Sequence, residues 1–248
     1  MTFDIGKYDY NAEFPCGGGL KSRYFTELMY LIITERNSDD GHQDICNHLK
    51  NKDCLKNINN KNEQGHTALS LAVVNSNTLS SLETVKLLID NGADINTRDN
   101  IGYTPLIGSA IFSNTLSNTE TVKLLLENGA DINMQDKCGY TALLVSSVFS
   151  NTSSNIETVK LLLEYGADVN LRDNNGCTAL ICVSASAAKS SNIETLKLLL
   201  EYGADINLLD KCGFSALITA SGCLDTGSNI ETVKFLLEYG FKKYGLTS

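Results

Sequence analysis

Apolar and polar positions along this chain recur with a spacing of 37 residues. In the stretch Arg98 to Gly129, Leu106, Ala110, Ile111 and Phe112 form one short apolar run. Val122, Leu124, Leu125 and Leu126 form a second, and a Ser/Asn/Thr-rich segment lies between the two. The arrangement returns in five stretches, marked by two glycine series in step. One series is Gly65, Gly102, Gly139, Gly176 and Gly213; the other is Gly92, Gly129, Gly166, Gly203 and Gly240. A fixed period of this size predicts a stack of supersecondary units, not one globule around a single cleft.

The residues within one period predict its elements. Asp99-Asn100-Ile101-Gly102 reads as a turn, with Asp placed to bond backbone amides and Gly to take positive φ. Thr104-Pro105 then opens a helix, because Thr caps well and Pro fits the first helical position. A second helix is expected to open at Ser117, where Ser117 and Glu120 have capping-box spacing. The pair recurs as Ser80/Glu83, Ser154/Glu157, Ser191/Glu194 and Ser228/Glu231. Gly129 ends that helix as a left-handed cap, and Ala130-Asp131-Ile132-Asn133 leads, extended, into the next turn. Helices this short are marginal alone in water, so stacking on neighbouring repeats must stabilise them. Truncating a central Leu such as Leu125 to Ala is expected to cost about 2–5 kcal/mol.

These motifs resemble the ankyrin repeat. Gly92-Ala93-Asp94-Ile95-Asn96, Gly129 to Asn133, Gly166 to Asn170 and Gly203 to Asn207 match the end of that family's repeat, and Gly102-Tyr103-Thr104-Pro105-Leu106 matches its start. The resemblance covers residues 58–240 and implies an all-α repeat solenoid of helix–turn–helix units with hairpin-like turns, about six repeats in all. A weaker match over 20–57, with Thr26-Glu27-Leu28 for Thr-Pro-Leu and Gln43 to Leu49 as a second helix, suggests a divergent N-terminal capping repeat. Residues 1–19 read as a flexible leader, and 58–248 as five repeats of which the last is the C-terminal cap. Two departures stand out. The family's His after Thr-Pro-Leu is replaced by Ser70, Ile107, Leu144, Ile181 and Ile218. Each repeat is also four residues longer than the family's usual 33, with the extra residues between the helices. They either lengthen the first helix by a turn or form a Ser/Asn-rich loop. Asn- and Lys-rich arrays of this kind resemble those of large DNA viruses that infect amoebae.

Composition narrows the partners. A net charge of −9 and a pI near 4.8 disfavour duplex nucleic acid and anionic membranes, which select clustered Lys and Arg. Leu124-Leu125-Leu126 is typical of the longest apolar runs and far too short to span a bilayer. Eight cysteines follow a polar Met1–Tyr10, and Cys138 and Cys212, two repeats apart, are too distant to pair. This favours free thiols in a reducing, cytoplasmic setting, the nucleus not excluded, and a monomer.

Chemistry-bearing constellations are sparse. Gly17-Gly18-Gly19-Leu20-Lys21-Ser22 lacks the Gly before Lys that a phosphate loop needs. Cys46, His48 and Cys54 match no standard zinc spacing. No cofactor, metal or catalytic residue is therefore expected; the alternative is a small metal-binding or enzymatic function carried by residues 1–57. The resemblance implies a protein partner, held by the turn tips and the concave inner-helix face. The residues at those places are Ile101 at a tip, Tyr103, Tyr140 and Phe214 after the turn glycines, and Ile111, Phe112 and Phe149 toward the first-helix ends. Aromatic side chains at such positions are common anchors. The resemblance also implies that Asn96, Asn133, Asn170 and Asn207 are candidates for asparaginyl hydroxylation, beside a plainer role bonding across the hairpin.

Overall fold

The computed structural model describes residues 26–37, 40–150, 152, 154–185, 191–222 and 230–244. The expected leader 1–19, the Gly17–Ser22 segment and the Ser228 of the last Ser-x-x-Glu pair lie outside these residues. Among the described residues the ordered elements are all helical. Helices α1 (Glu27–Thr34), α2 (Gly41–Lys50) and α3 (Lys52–Leu55) precede five pairs. The pairs are α4 (Ala68–Val74) with α5 (Leu82–Asp90), α6 (Pro105–Ile111) with α7 (Thr119–Glu127), and α8 (Ala142–Phe149) with α9 (Ile156–Glu164). They continue with α10 (Ala179–Ala185) and α11 (Ser191–Glu201), then α12 (Ala216–Gly222) and α13 (Ile230–Tyr244). The solenoid expected from the period is the architecture found.

The first helices form one row and the second helices another. Neighbours in the first row, from α1 against α4 through α10 against α12, pack more extensively than neighbours in the second. An array closer-packed along one row curves with that row inside. One continuous apolar core runs its length, from Met29 and Ile32 through Leu69, Leu88, Leu106, Leu125, Leu143 and Leu162 to Leu196 and Leu236.

Local chemistry sets the helix ends. Thr104 Oγ1 accepts from the Ile107 amide at 3.2 Å, and Pro105 occupies the first turn of α6. Helices α5, α7 and α9 begin one residue later than the Ser-x-x-Glu spacing suggests, whereas α11 begins at Ser191 itself. The caps of α5, α7 and α9 are Ser81, Asn118 and Asn155, whose side chains accept from the amides of Thr84, Thr121 and Thr158. The preceding serines have another task. Ser117 Oγ lies 3.2 Å from Ser76 Oγ in the previous repeat, and Ser154 Oγ lies 3.1 Å from Ser113 Oγ. Thr121 and Thr158 join the same buried clusters at 2.7 and 2.8 Å. These interfaces between consecutive repeats are thus latched by hydroxyls that satisfy one another out of water.

The N-terminal end closes the series with a carboxylate. Glu35 is 6% exposed and takes the place of the latch serine. It accepts from Ser80 Oγ at 2.8 Å, Ser81 Oγ at 2.8 Å, the Ser81 amide at 3.1 Å and Thr84 Oγ1 at 2.6 Å. Burial raises its pKa, but the bonds from Thr84, Ser81, Ser80 and His42 outweigh that and leave it below the ordinary value.

In the first three clear repeats the extra residues form a loop, and the first helices stay at seven or eight residues. Phe112 O accepts from Thr115 and Ser117 amides, and Phe149 O from those of Thr152 and Ser154. Successive loops are tied together, Asn77 N donating to Leu116 O at 3.0 Å and Asn114 Nδ2 to Thr152 O at 3.2 Å. Gly129 ends α7 at φ 86, where a side chain would be strained. Gly240 behaves otherwise. The Gly-Ala-Asp motif is broken there by Phe241, and α13 runs on through it to Tyr244.

Candidate protein-interaction surface

Each turn is fixed from within. Asp99 Oδ1 accepts from the amides of Ile101 and Tyr103 at 3.0 and 2.8 Å, and Asp136, Asp173 and Asp210 repeat the arrangement. In the first repeat Asn62 does the same for Gln64 and His66. Gly102 has φ 92, and a Cβ there would stand 2.7 Å from the Lys137 amide, so glycine lets the next turn approach.

The turns are also tied to one another. The amides of Asn100, Lys137, Asn174 and Lys211 donate to the carbonyls of Gln64, Ile101, Cys138 and Asn175 at 2.9–3.1 Å. Lys61 Nζ donates to Arg98 O at 2.8 Å, Arg98 to Gln135 O, Gln135 to Arg172 O at 2.9 Å, and Arg172 to Leu209 O. A third ladder runs through the asparagines proposed for hydroxylation. Asn96 Oδ1 accepts from the Asp131 amide at 2.8 Å while its Nδ2 donates to Gly129 O at 3.4 Å. Asn170 makes the equivalent pair with Asp205 N and Gly203 O, and Asn133 Oδ1 accepts from Asp168 N. The side chains of Asn96, Asn133 and Asn170 join consecutive repeats, whereas the sequence suggests a bond across the hairpin.

The result is a rigid edge carrying variable side chains. Gln64, Ile101, Cys138, Asn175 and Cys212 occupy equivalent exposed places along it. A model of the ankyrin repeat family, three repeats long, matches residues 36–136, 110–210 and 144–245. The chain belongs to the ankyrin repeat family. Ankyrin repeats generally mediate protein–protein interaction and generally are not catalytic modules. Among curated proteins the array is similar to ankyrin repeat proteins of Acanthamoeba polyphaga mimivirus. It is 48% identical to protein L88 over 89 residues, which is 36% of this chain and 10% of that relative. It is 45% identical to protein L91 over 94 residues, 37% of this chain and 15% of the relative. The matched segments therefore span only a small part of these relatives.

The sequence-selected residues of the ankyrin array fall into three environments. Ile101 and Phe214 are exposed, at 50% and 49%. Tyr103, Tyr140, Phe112 and Phe149 are half-buried and rest against the core. Burial, reinforced by Asp136 and Asp99, raises the Tyr103 phenol well above its usual range. Burial with Asp173 nearby moves Tyr140 the same way. Ile111 does not belong to the surface. It is 3% exposed, because every residue of α6 is buried between α4, α8 and α7, and it is a core residue.

Cys46, His48 and Cys54 do not converge, and the six described cysteines are free. The structure instead brings together Asp173, Cys177 and Cys182, whose ligand atoms lie within 4.8 Å of one another. Sequence reasoning missed this group, since its spacing fits no metal motif and Asp173 reads as an ordinary turn residue. Among the described residues no helix is long and apolar enough to cross a membrane.

Proposed function

We propose that this chain is a non-catalytic scaffold or adaptor that binds a protein through its turn tips and the half-buried aromatics beside them. The observation that carries this reading is the contrast between a hydrogen-bonded edge of constant geometry and the unlike side chains Gln64, Ile101, Cys138, Asn175 and Cys212 that it displays. Similarity to mimivirus proteins supports a viral protein whose partner is a host factor. The acidic balance favours neither nucleic acid nor membrane, and the free thiols fit a reducing, intracellular site of action. We take the array to act as a monomer, with residues 20–57 capping one end and the last repeat the other. Hydroxylation of Asn96, Asn133, Asn170 and Asn207 is a secondary proposal, checked by a one-oxygen mass increase on the corresponding peptides.

The test is affinity capture from amoebal lysate with paired variants. Ile101→Asp combined with Tyr140→Phe leaves the core intact and should reduce recovery of the captured protein about ten-fold or more, as loss of an interface anchor does. Undiminished recovery from a folded tip variant would remove the support for this surface.

A further inference from the structure

We propose that Asp173, Cys177 and Cys182 form a binding site for a single soft divalent cation of the zinc class, set into the fourth clear repeat beside its turn. This goes beyond protein recognition and does not depend on it. Two thiol sulfurs and a carboxylate with ligand atoms within 4.8 Å of one another have the composition and proximity that such a cation selects over hard, oxygen-preferring ions.

The repeats provide their own comparison. The residues equivalent to Asp173, Cys177 and Cys182 are Asn62, His66 and Leu71 in the first clear repeat and Asp99, Tyr103 and Gly108 in the next. They are Asp136, Tyr140 and Val145, then Asp210, Phe214 and Thr219, in the others. Only the fourth places two thiols on the common framework, so the fold does not require sulfur at either position. Asp173 is buried, and its Oδ1 is held by the amides of Asn175 and Cys177, both at 2.8 Å. This fixes the carboxylate beside the sulfurs before any ion arrives, which lowers the reorganisation that binding requires. The two thiols hydrogen-bond to each other.

The electrostatics agree with the geometry. Burial, then Cys177 and Asp173, push the Cys182 thiol up to about 12. Burial, Asp173 and Asp210 raise Cys177 as well. Burial and the neighbouring carboxylate thus disfavour the thiolates and give the site a negative character that attracts a cation. Coordination forms two metal–sulfur bonds and releases each thiol proton to solvent, so affinity rises with pH. Three protein donors leave the fourth tetrahedral position to water.

The full chain, fully reduced, is titrated with Co²⁺ and then Zn²⁺, following absorption and melting temperature. One equivalent of Co²⁺ should produce thiolate-to-cobalt charge-transfer absorption, be displaced by Zn²⁺, and raise the melting temperature. Cys182→Val copies Val145 and should fold; Cys177→Ser keeps a small polar side chain. Each should weaken binding by at least about ten-fold, the lower end of what losing even an outer-shell partner costs. Asp173→Asn keeps the turn acceptor that Asn62 supplies elsewhere, and should weaken binding while circular dichroism stays unchanged. Cys46→Ser and Cys54→Ser, in the N-terminal helices away from the turn, should bind the ion as the parent does. Cobalt uptake without thiolate absorption, uptake unaffected in Cys182→Val and Cys177→Ser, or no uptake by the reduced chain would each overturn the site.

Discussion

Glu35 is one side chain doing what a pair of hydroxyls does elsewhere in the stack. Ser76 and Ser113 latch their repeats to the Ser/Thr pair of the next, whereas the Glu35 carboxylate gathers Ser80, Ser81 and Thr84. Because its pKa is lowered in the folded chain, its contribution is present above the ordinary value of 4.5 and is lost as pH falls through the folded value. Chemical denaturation between pH 7 and pH 3 should show stability falling below about pH 4.5, in part through this group. Glu35→Ala should cost about 1–3 kcal/mol at pH 7, since it strands buried hydroxyls. It should also flatten that acid limb; an unchanged acid limb would remove Glu35 from the latch. Tyr103 is the other instructive residue. Its place after the turn glycine predicts a surface aromatic, yet it is half-buried against the core. Tyr103→Ala should therefore lower stability as well as binding, and Tyr103→Phe is the variant that separates the two. The sequence could not distinguish these roles, because both place an aromatic after the turn glycine.

At the scale of elements, the period made the two-helix unit, its turn and its glycine end legible. Gly102 and Gly129 are where left-handed backbone is needed. Helix α7 starts one residue after the position the spacing predicts, because Ser117 and Asn118 are both good caps and the choice depends on the neighbouring repeat. Asn118 bonds the Thr121 amide while Ser117 turns inward to Ser76. This predicts two different consequences. Asn118→Ala should cost about 0.5–2 kcal/mol, as for a lost cap. Ser117→Ala should loosen the contact between repeats, seen as faster hydrogen exchange in both α5 and α7. A purely local effect of Ser117→Ala would contradict the latch. The extra residues were ambiguous for a similar reason: Ser, Asn and Thr suit a loop, but four residues also make about one helical turn. What decides for the loop is the Phe112 carbonyl, which receives two loop amides, and the bonds from one loop to the next. Ile111 departs from the expectation because position within the repeat does not fix exposure, and α6 is enclosed on every side.

For the whole molecule, stacked layers about 10 Å apart make a curved rod. Small-angle scattering should show an elongated particle, and a profile of a compact sphere would contradict the solenoid. The stack also separates stability from recognition in space. Leu125 and Leu162 are fully buried between repeats, and Leu125→Ala should lower stability by about 2–5 kcal/mol. Ile101 stands half-exposed on a bonded edge and should contribute little to folding. The stack was legible in the sequence because repetition is visible in one dimension; the Asp173, Cys177 and Cys182 cluster was not, because it forms only when a turn and a helix fold together. The most direct measurement of the central claim is binding of a captured, purified partner to the parent chain, the Ile101→Asp/Tyr140→Phe variant and Leu125→Ala, each beside its melting temperature. The account predicts that the tip variant loses at least about ten-fold in affinity with its melting temperature preserved, while Leu125→Ala melts earlier and binds as the parent does below its transition. A tip variant that binds as tightly as the parent would contradict it.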